Sequence, residues 1–347
     1  MKPVVVITQK VHKEVVDYLE EYCTVTQNES SAPLTRKELM ERSSNAQAIM
    51  VFMPDMIDDE FLAACPKLRI VGAALKGYDN FDITACTQRG IWFTIVPDLL
   101  TTPTADLAVG LLLCLTRHIL QGDRYVRSGK FQGWRPHLYG TGLSHATAGI
   151  IGMGAVGLEV ARRLRAFDIK ILCYDVKEIS HDVLYPISAR VATLDELLRN
   201  SDFVFPLVPL LPSTNQMLNR DRIALMKSGA YLINVGRGSV VDEVAVTEAL
   251  ASDHLAGYAA DVFQSEDWAQ GDRPMMIAPE LLAQKDRTVF TPHIGSAVKS
   301  IRLAIEMDAA HNIVEALQDK PPHGSLNQVG SYERSADKPY TAASLQP

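Results

Sequence analysis

Gly149-Ile-Ile-Gly-Met-Gly-Ala-Val-Gly157 is the stretch whose reading decides the fold. It continues an apolar run and leads into Leu158-Glu-Val-Ala-Arg-Arg-Leu164, which has helical spacing. Strand, then Gly152-x-Gly154-x-x-Gly157, then helix is the context in which these glycines read as a dinucleotide fingerprint. Gly152 permits the tight turn, Gly154 lets the backbone approach a pyrophosphate, and Gly157 lets helix and strand pack closely. The phosphates then rest on the helix N-terminus, where unpaired N–H groups and the dipole favour negative charge. A second strand is predicted at Lys170-Ile-Leu-Cys-Tyr-Asp175; its terminal carboxylate stands 18 residues after Gly157. That is close to the spacing of roughly 20 at which an acid holds the adenosine ribose hydroxyls of NAD. No Lys-Ser/Thr follows the glycines, which sets a P-loop aside.

The rest of the composition sets limits on this reading. A chain of 347 residues suggests two domains, each able to bury its own core. With 47% hydrophobic and 22% charged residues it has an ordinary globular composition. The net charge of −7 gives no electrostatic case for nucleic acid or an anionic membrane as a partner. Five cysteines without a CxxC pair read as buried free thiols in a reducing compartment, so a cytoplasmic location is expected. The nine histidines lack zinc-binding spacing, and no metal is expected. The longest apolar run, near Leu107 to Leu115, is far short of a membrane span.

Read in order, residues 1–98 alternate strand-like and helix-like segments, with strands expected at Val4–Thr8, Ala48–Met53 and Leu68–Ala74. Lys76 lies just past the third strand, where ligands of open α/β sheets collect. The plain alternative is a solvated lysine in a turn, and for Met53, core packing. Thr101-Thr-Pro-Thr-Ala-Asp106 reads as a helix start. Its continuation, apolar on nearly every face, is expected to be a subunit interface. Residues 131–140 form an aperiodic arm in which Trp134 and Tyr139 are either pocket walls or loop anchors. Further strands are expected at Asp202–Val208, Ala230–Val235, Leu255–Val262 and Arg287–Phe290. The last three deliver Arg237, then Asp261 and Glu266, then His293 at their carboxyl ends. Read alone, His293 is a core histidine and Arg237 a surface ion-pair partner. Repetition at equivalent ends of one sheet points instead to a shared crevice.

These residues resemble the D-2-hydroxyacid dehydrogenase family across residues 3–320. The resemblance is carried by Gly152-Met-Gly-Ala-Val-Gly157, Asn234-Val-Gly-Arg-Gly238, Asp261-Val-Phe-Gln-Ser-Glu266 and Pro292-His-Ile-Gly295. Within the family the chain is similar to the phosphite-oxidising (phosphonate dehydrogenase) branch. The residues concerned are Lys76, Val96-Pro-Asp-Leu-Leu-Thr-Thr-Pro-Thr104, Arg127-Ser-Gly-Lys-Phe-Gln-Gly-Trp-Arg-Pro136 and Glu266-Asp-Trp-Ala-x-x-Asp-Arg-Pro274. Gln264 departs from the usual glutamate, and Asp175 is followed by Val176 and Lys177.

The resemblance implies two Rossmann-like, doubly wound parallel-sheet domains with the active site in the cleft between them. Residues 1–98 and 295–347 would form the substrate-binding domain and 99–294 the NAD-binding domain. It implies a homodimer, and phosphite oxidation to phosphate with hydride transfer to NAD, the same-class alternative being a 2-hydroxy acid substrate. A corepressor-like NAD sensor of the same fold is the alternative of another class; glutamate at position 266 speaks against formate dehydrogenase-like chemistry. Catalytic roles fall to Arg237, Glu266 and His293. Substrate binding falls to Met53, Lys76, Trp134, Tyr139, Arg237 and Arg302. The cofactor is expected along Lys76, Leu100, Thr104 and the run Gly152, Gly154, Ala155, Val156 and Gly157. Beyond Asp175 it continues along Val208, Pro209, Val235, Gly236, Arg237, Asp261, His293 and Gly295. Lys76, Arg237 and Arg302 together would put up to three cations around a small site, which suits a dianion better than a monoanionic hydroxy acid.

Overall fold

The computed structural model describes residues 2–329. The chain divides into two compact units, one running to Leu100 and resuming at Ala297, the other Thr101–Ser296. Each boundary lies two residues beyond the one expected from sequence.

In the first unit, strands β1 (Val4–Ile7), β2 (Thr24–Gln27), β3 (Ala48–Val51), β4 (Ile70–Ala73) and β5 (Trp92–Thr94) form one sheet. Their order is β2-β1-β3-β4-β5, with every neighbouring pair parallel. The second unit holds β6 (Thr147–Ile151), β7 (Lys170–Tyr174), β8 (Ala189–Val191), β9 (Phe203–Pro206), β10 (Ala230–Asn234), β11 (Leu255–Ala260) and β12 (Thr288–Phe290). This parallel sheet is ordered β12-β11-β10-β9-β6-β7-β8. Strand order therefore reverses between β6 and β9, the switch point at which doubly wound sheets bind their ligands.

Apolar composition explains which strands are central. β3, β4, β9 and β10 are buried throughout, as parallel strands covered on both faces must be. β2 and β8 are polar, partly exposed edge strands without an apolar run, which is why sequence patterning did not find them. β5 is short, and the segment after the last helix extends the sheet beyond it. Ile95 N donates to Gly324 O at 3.0 Å and Leu326 N to Phe93 O at 2.9 Å, making an antiparallel edge contact. His323 ties this segment to the long helix Lys299–Leu317 through Asp308 and Glu315, each 3.0 Å away. Residues 321–347, rich in Pro, Ser and Gly and without a period, are expected from sequence to be flexible unless a neighbour pins them, and β5 and the long helix pin 322–327; residues 330–347 lie outside the described part.

The apolar helix Thr101–Thr116 receives a different explanation from the one sequence suggested. Ala105, Ala108, Leu111, Leu112 and Leu115 are buried in a core shared with Val160, Leu164, Tyr231 and Ala259 of the same unit. Its own unit therefore accounts for most of its apolar surface. Exposed apolar side chains appear instead just beyond it, at Ile119, Leu120, Val126 and Phe131. Among the described residues no single helix is long and apolar enough to cross a membrane.

Candidate active site

The carboxyl ends of the second sheet gather the chemistry. After β6 the chain turns at Gly152, whose φ of 96° is open to glycine and costly for other residues. A Cβ there would meet Leu207 O at 2.6 Å and Val208 Cγ1 at 2.9 Å, so the glycine loop lies against the end of β9. A Cβ at Gly157 would meet the Gly152 carbonyl oxygen at 2.1 Å, and this glycine lets the helix Ala155–Arg165 close on the strand. At Gly154, the N-cap, a Cβ would meet nothing within 4 Å. Protein packing demands glycine at positions 152 and 157; at Gly154 bare backbone serves an approach from outside, to the positive end of the helix. Ala155 and Val156 form its first turn. Asp175, at the end of β7, accepts from Met153 N at 2.7 Å and Lys177 N at 3.0 Å. The chain's own residues thus fit a dinucleotide: a pyrophosphate cradle braced by the acid that would face the ribose.

On the other side of the switch point, β9, β10, β11 and β12 present the remaining groups. Val208 and Pro209 follow β9, and a Cβ on Gly236 would come within 2.9 Å of Pro206 O, so Val235-Gly236 passes close beside them. Asn234 shapes the next turn: its Oδ1 accepts from Gly236 N at 3.1 Å and its Nδ2 donates to Arg237 O at 2.9 Å. Arg237 itself donates from Nη1 to Gly236 O at 3.1 Å.

Glu266 and His293 are brought together. Glu266 Oε2 lies 2.8 Å from His293 Nδ1, while its Oε1 accepts from Phe263 N at 2.8 Å. A carboxylate only accepts, so Nδ1 carries a proton and Nε2 is left to exchange one. His293 stands at φ 53°, a left-handed conformation that costs a non-glycine residue energy. Asp261, 2% exposed, holds it there: Ile294 N donates to Oδ1 and Gly295 N to Oδ2, both at 2.8 Å, and Thr291 Oγ1 donates to Oδ1 at 2.6 Å. Burial raises the Asp261 carboxyl above its usual range, against these donors and nearby His293. Thr104 joins the same corner, its Oγ1 3.2 Å from where a Gly295 Cβ would be.

The first unit holds Met53, Lys76, Leu100 and Arg302. Met53 follows β3 and is half-buried, its carbonyl accepting from Asn80 Nδ2 at 2.7 Å. Lys76, three residues past β4, is partly buried, and desolvation lowers its pKa against the opposing pull of Asp98. Leu100 is half-buried against the core of this unit. Arg302 lies over the Phe52 ring, 5.8 Å from its centroid, and 3.6 Å from Glu306. Burial lowers its pKa and Glu306 opposes that. The expectation of three surplus cations is corrected here, because Arg302 has its own buried counter-ion. Trp134 and Tyr139, on the arm of the second unit, are 79% and 77% exposed among the described residues.

Sequence reasoning passed over Glu243 and Asp267 as site residues. Both are buried, beside the turns carrying Arg237 and Glu266, and the only signal for them was an acid next to each motif.

Residues 109–295 match the family model described as D-isomer specific 2-hydroxyacid dehydrogenase, NAD binding domain. A glyoxylate reductase of Pyrococcus furiosus is 37% identical over 94% of this chain and 96% of its own length. A solved protein from Thermus thermophilus is 32% identical, with a TM-score of 0.84 over 93% of this chain and 99% of that one. D-lactate dehydrogenase from Aquifex aeolicus, solved with NAD and lactic acid, is 27% identical, with a TM-score of 0.78 over 91% and 96%. The chain belongs to the D-isomer specific 2-hydroxyacid dehydrogenase family. It is an oxidoreductase whose second unit carries the family's NAD-binding domain.

Proposed function

We propose that this dehydrogenase oxidises phosphite to phosphate with NAD as hydride acceptor. The observation that carries the reading is Lys76, a partly desolvated cation just past the end of β4. An ammonium held away from water favours an anionic partner, and phosphite, close to a dianion, needs more than one cation. The long loop matches at 96–104, 127–136 and 266–274 point the same way.

Bound NAD would supply the electrophilic nicotinamide carbon that receives the hydride. Arg237 offers a planar fork for two phosphite oxygens, and Lys76 is a compact charge of the kind a dianion calls for. His293 Nε2 takes a proton from the attacking water as the O–P bond forms. The electron pair of the P–H bond would pass to the NAD that the Gly152–Gly157 loop and Asp175 would hold. Phosphite, NAD and water thus give phosphate, NADH and a proton. Glu266, on Nδ1, stabilises the imidazolium so formed. Asp175 favours NAD over NADP, because its carboxylate repels a 2′-phosphate.

A second reading has the support of the named relatives: reduction of glyoxylate or a similar 2-oxo acid, His293 donating the proton to the carbonyl oxygen. The counter-ion at Arg302 also removes one argument for a dianion. NADH formation from phosphite, compared with NADH oxidation by glyoxylate and with turnover of D-lactate and D-glycerate, separates the two. Faster turnover of any organic acid sinks the phosphite reading. Lys76→Ala should raise the KM for phosphite about tenfold or more and leave the KM for NAD nearly unchanged.

We also propose self-association through the exposed apolar residues Ile119, Leu120, Val126 and Phe131. A monomer by sedimentation at micromolar concentration counts against it. The free thiols, buried at Cys23, Cys65, Cys86 and Cys173, suit a reducing cytoplasm.

A further inference from the structure

We propose that Glu243 and Asp267 are positioning residues that clasp the turn carrying Arg237 to the turn carrying Glu266. This rests on the reading of Arg237, Glu266 and His293 as the reacting group of the second unit.

The two turns touch backbone to backbone: a Cβ on Gly238 would meet the Phe263 carbonyl carbon at 1.9 Å. A tie crosses on each side of that contact. Ser239 N, in the turn after Arg237, donates to Asp267 Oδ2 at 2.6 Å. In the opposite direction, Gln264 N donates to Glu243 Oε1 at 2.7 Å. Glu266 lies between Gln264 and Asp267, the residues that make these ties. Ser239, Glu243 and Asp267 are 5%, 3% and 2% exposed, so water does not compete for the bonds.

Packing alone does not explain this choice of residues. Burial drives the Glu243 carboxyl up to about 7, and Asp267, Glu266 and Asp242 add to the effect against the Gln264 N–H. A cluster of buried acids is unfavourable for folding, and an apolar side chain would fill the space at less cost. A directed acceptor gives what an apolar side chain cannot: it fixes the Gln264 amide, and with it the turn from which Glu266 reaches His293. Small displacements of such groups are costly to rate.

The test uses the full-length enzyme with phosphite and NAD, and with glyoxylate and NADH. Glu243→Leu removes the acceptor, whereas Glu243→Gln keeps an acceptor oxygen and removes the charge. Gln264→Pro deletes the donor from the other side. The backbone angles admit proline, since Phe263 before it is extended at φ −136°, ψ 152° and Gln264 opens a helical turn, and the ring displaces the Glu243 carboxylate that now lies 2.7 Å from this amide. Glu243→Leu and Gln264→Pro should each lower kcat about tenfold or more, with NADH affinity within about threefold of wild type. The double variant should be no worse than the poorer single one, and Glu243→Gln should retain kcat within about threefold. Wild-type kcat in both single variants, alongside an inactive His293→Ala, overturns the clasp. NADH affinity falling in step with kcat, or failure of Glu243→Gln to retain activity, overturns it too. An active His293→Ala instead overturns the catalytic reading beneath it. Should Glu243→Leu not fold, Gln264→Pro carries the same decision.

Discussion

Each unit contains a histidine–glutamate pair of nearly the same geometry, and the two are put to different use. His12 Nδ1 lies 2.7 Å from Glu306, and His293 Nδ1 lies 2.8 Å from Glu266. Glu306, 4% exposed, also accepts from His12 N at 3.0 Å and faces Arg302 one helical turn back. His12 there has ordinary extended backbone, at φ −62° and ψ 145°. In the second unit the histidine is the unusual partner, kept at φ 53° by a buried aspartate. The comparison teaches that the pair itself specifies no function. Beside a partly buried arginine it is a counter-ion cluster. Where the fold accepts backbone strain to present the imidazole, it is fit to move a proton.

The largest expected effect breaks this comparison directly. His293→Ala should lower turnover on the order of 10³-fold while NADH binding, read by fluorescence, persists. His12→Ala should change turnover by no more than a few-fold and appear chiefly as a lower Tm. Equal losses of turnover in the two variants would erase the distinction drawn here.

Next in size is the counter-ion. Glu306→Leu leaves Arg302 partly buried without its partner, and about 3 kcal/mol of stability should be lost in urea unfolding. Glu306→Gln should lose less, because its amide oxygen can still accept from His12. A neutral result for Glu306→Leu would mean that Arg302 is compensated by something other than Glu306.

A smaller effect sharpens the contrast through pH. Glu243 has its carboxyl raised from 4.5 to about 7 in the folded state, with burial as the main cause. Between those values the folded chain binds the proton more tightly than the unfolded one. Its stabilising contribution is therefore full below about pH 4.5 and lost as pH rises through 7. Glu243→Gln should remove that slope, gaining on the order of 2 kcal/mol relative to wild type between pH 5 and 8. Parallel stability curves for the two proteins would refute the assignment.

The mildest change concerns the dinucleotide. Asp175→Ala should narrow the preference for NAD over NADP several-fold, measured as the ratio of kcat/KM values. Part of any loss with NAD will come from the glycine loop, because Asp175 also accepts from Met153 N. A preference for NADP already present in the wild type would overturn the role given to Asp175.

Much of the architecture was legible from local pattern. The apolar runs at 48–53, 230–235 and 255–262 became central strands, because strands covered on both faces need little but apolar residues. Gly152 and Gly157 could be read because steric exclusion of a side chain is a property of the backbone path itself. β2 and β8 were not legible: an edge strand is held by pairing with a neighbour, and its polar residues carry no period. For the apolar helix Thr101–Thr116 burial was legible but its partner was not, since composition tells that a surface is covered but not by what.

The sequence by itself determined that a dinucleotide fold is present, and that Arg237, Glu266 and His293 stand at the ends of successive strands. Those properties depend on local spacing, on sterics at glycine and on the apolar demand of a buried sheet. Only the tertiary structure decided that Glu266 meets His293, that Asp261 pins the strained imidazole, and that Glu306 neutralises Arg302. It also decided that Glu243 reaches the Gln264 amide from another element. The pairs His293–Glu266, Glu243–Gln264 and Asp261–Ile294 join residues 27, 21 and 33 positions apart. At such separations no local periodicity fixes a contact, and packing alone chooses the partner of each charge.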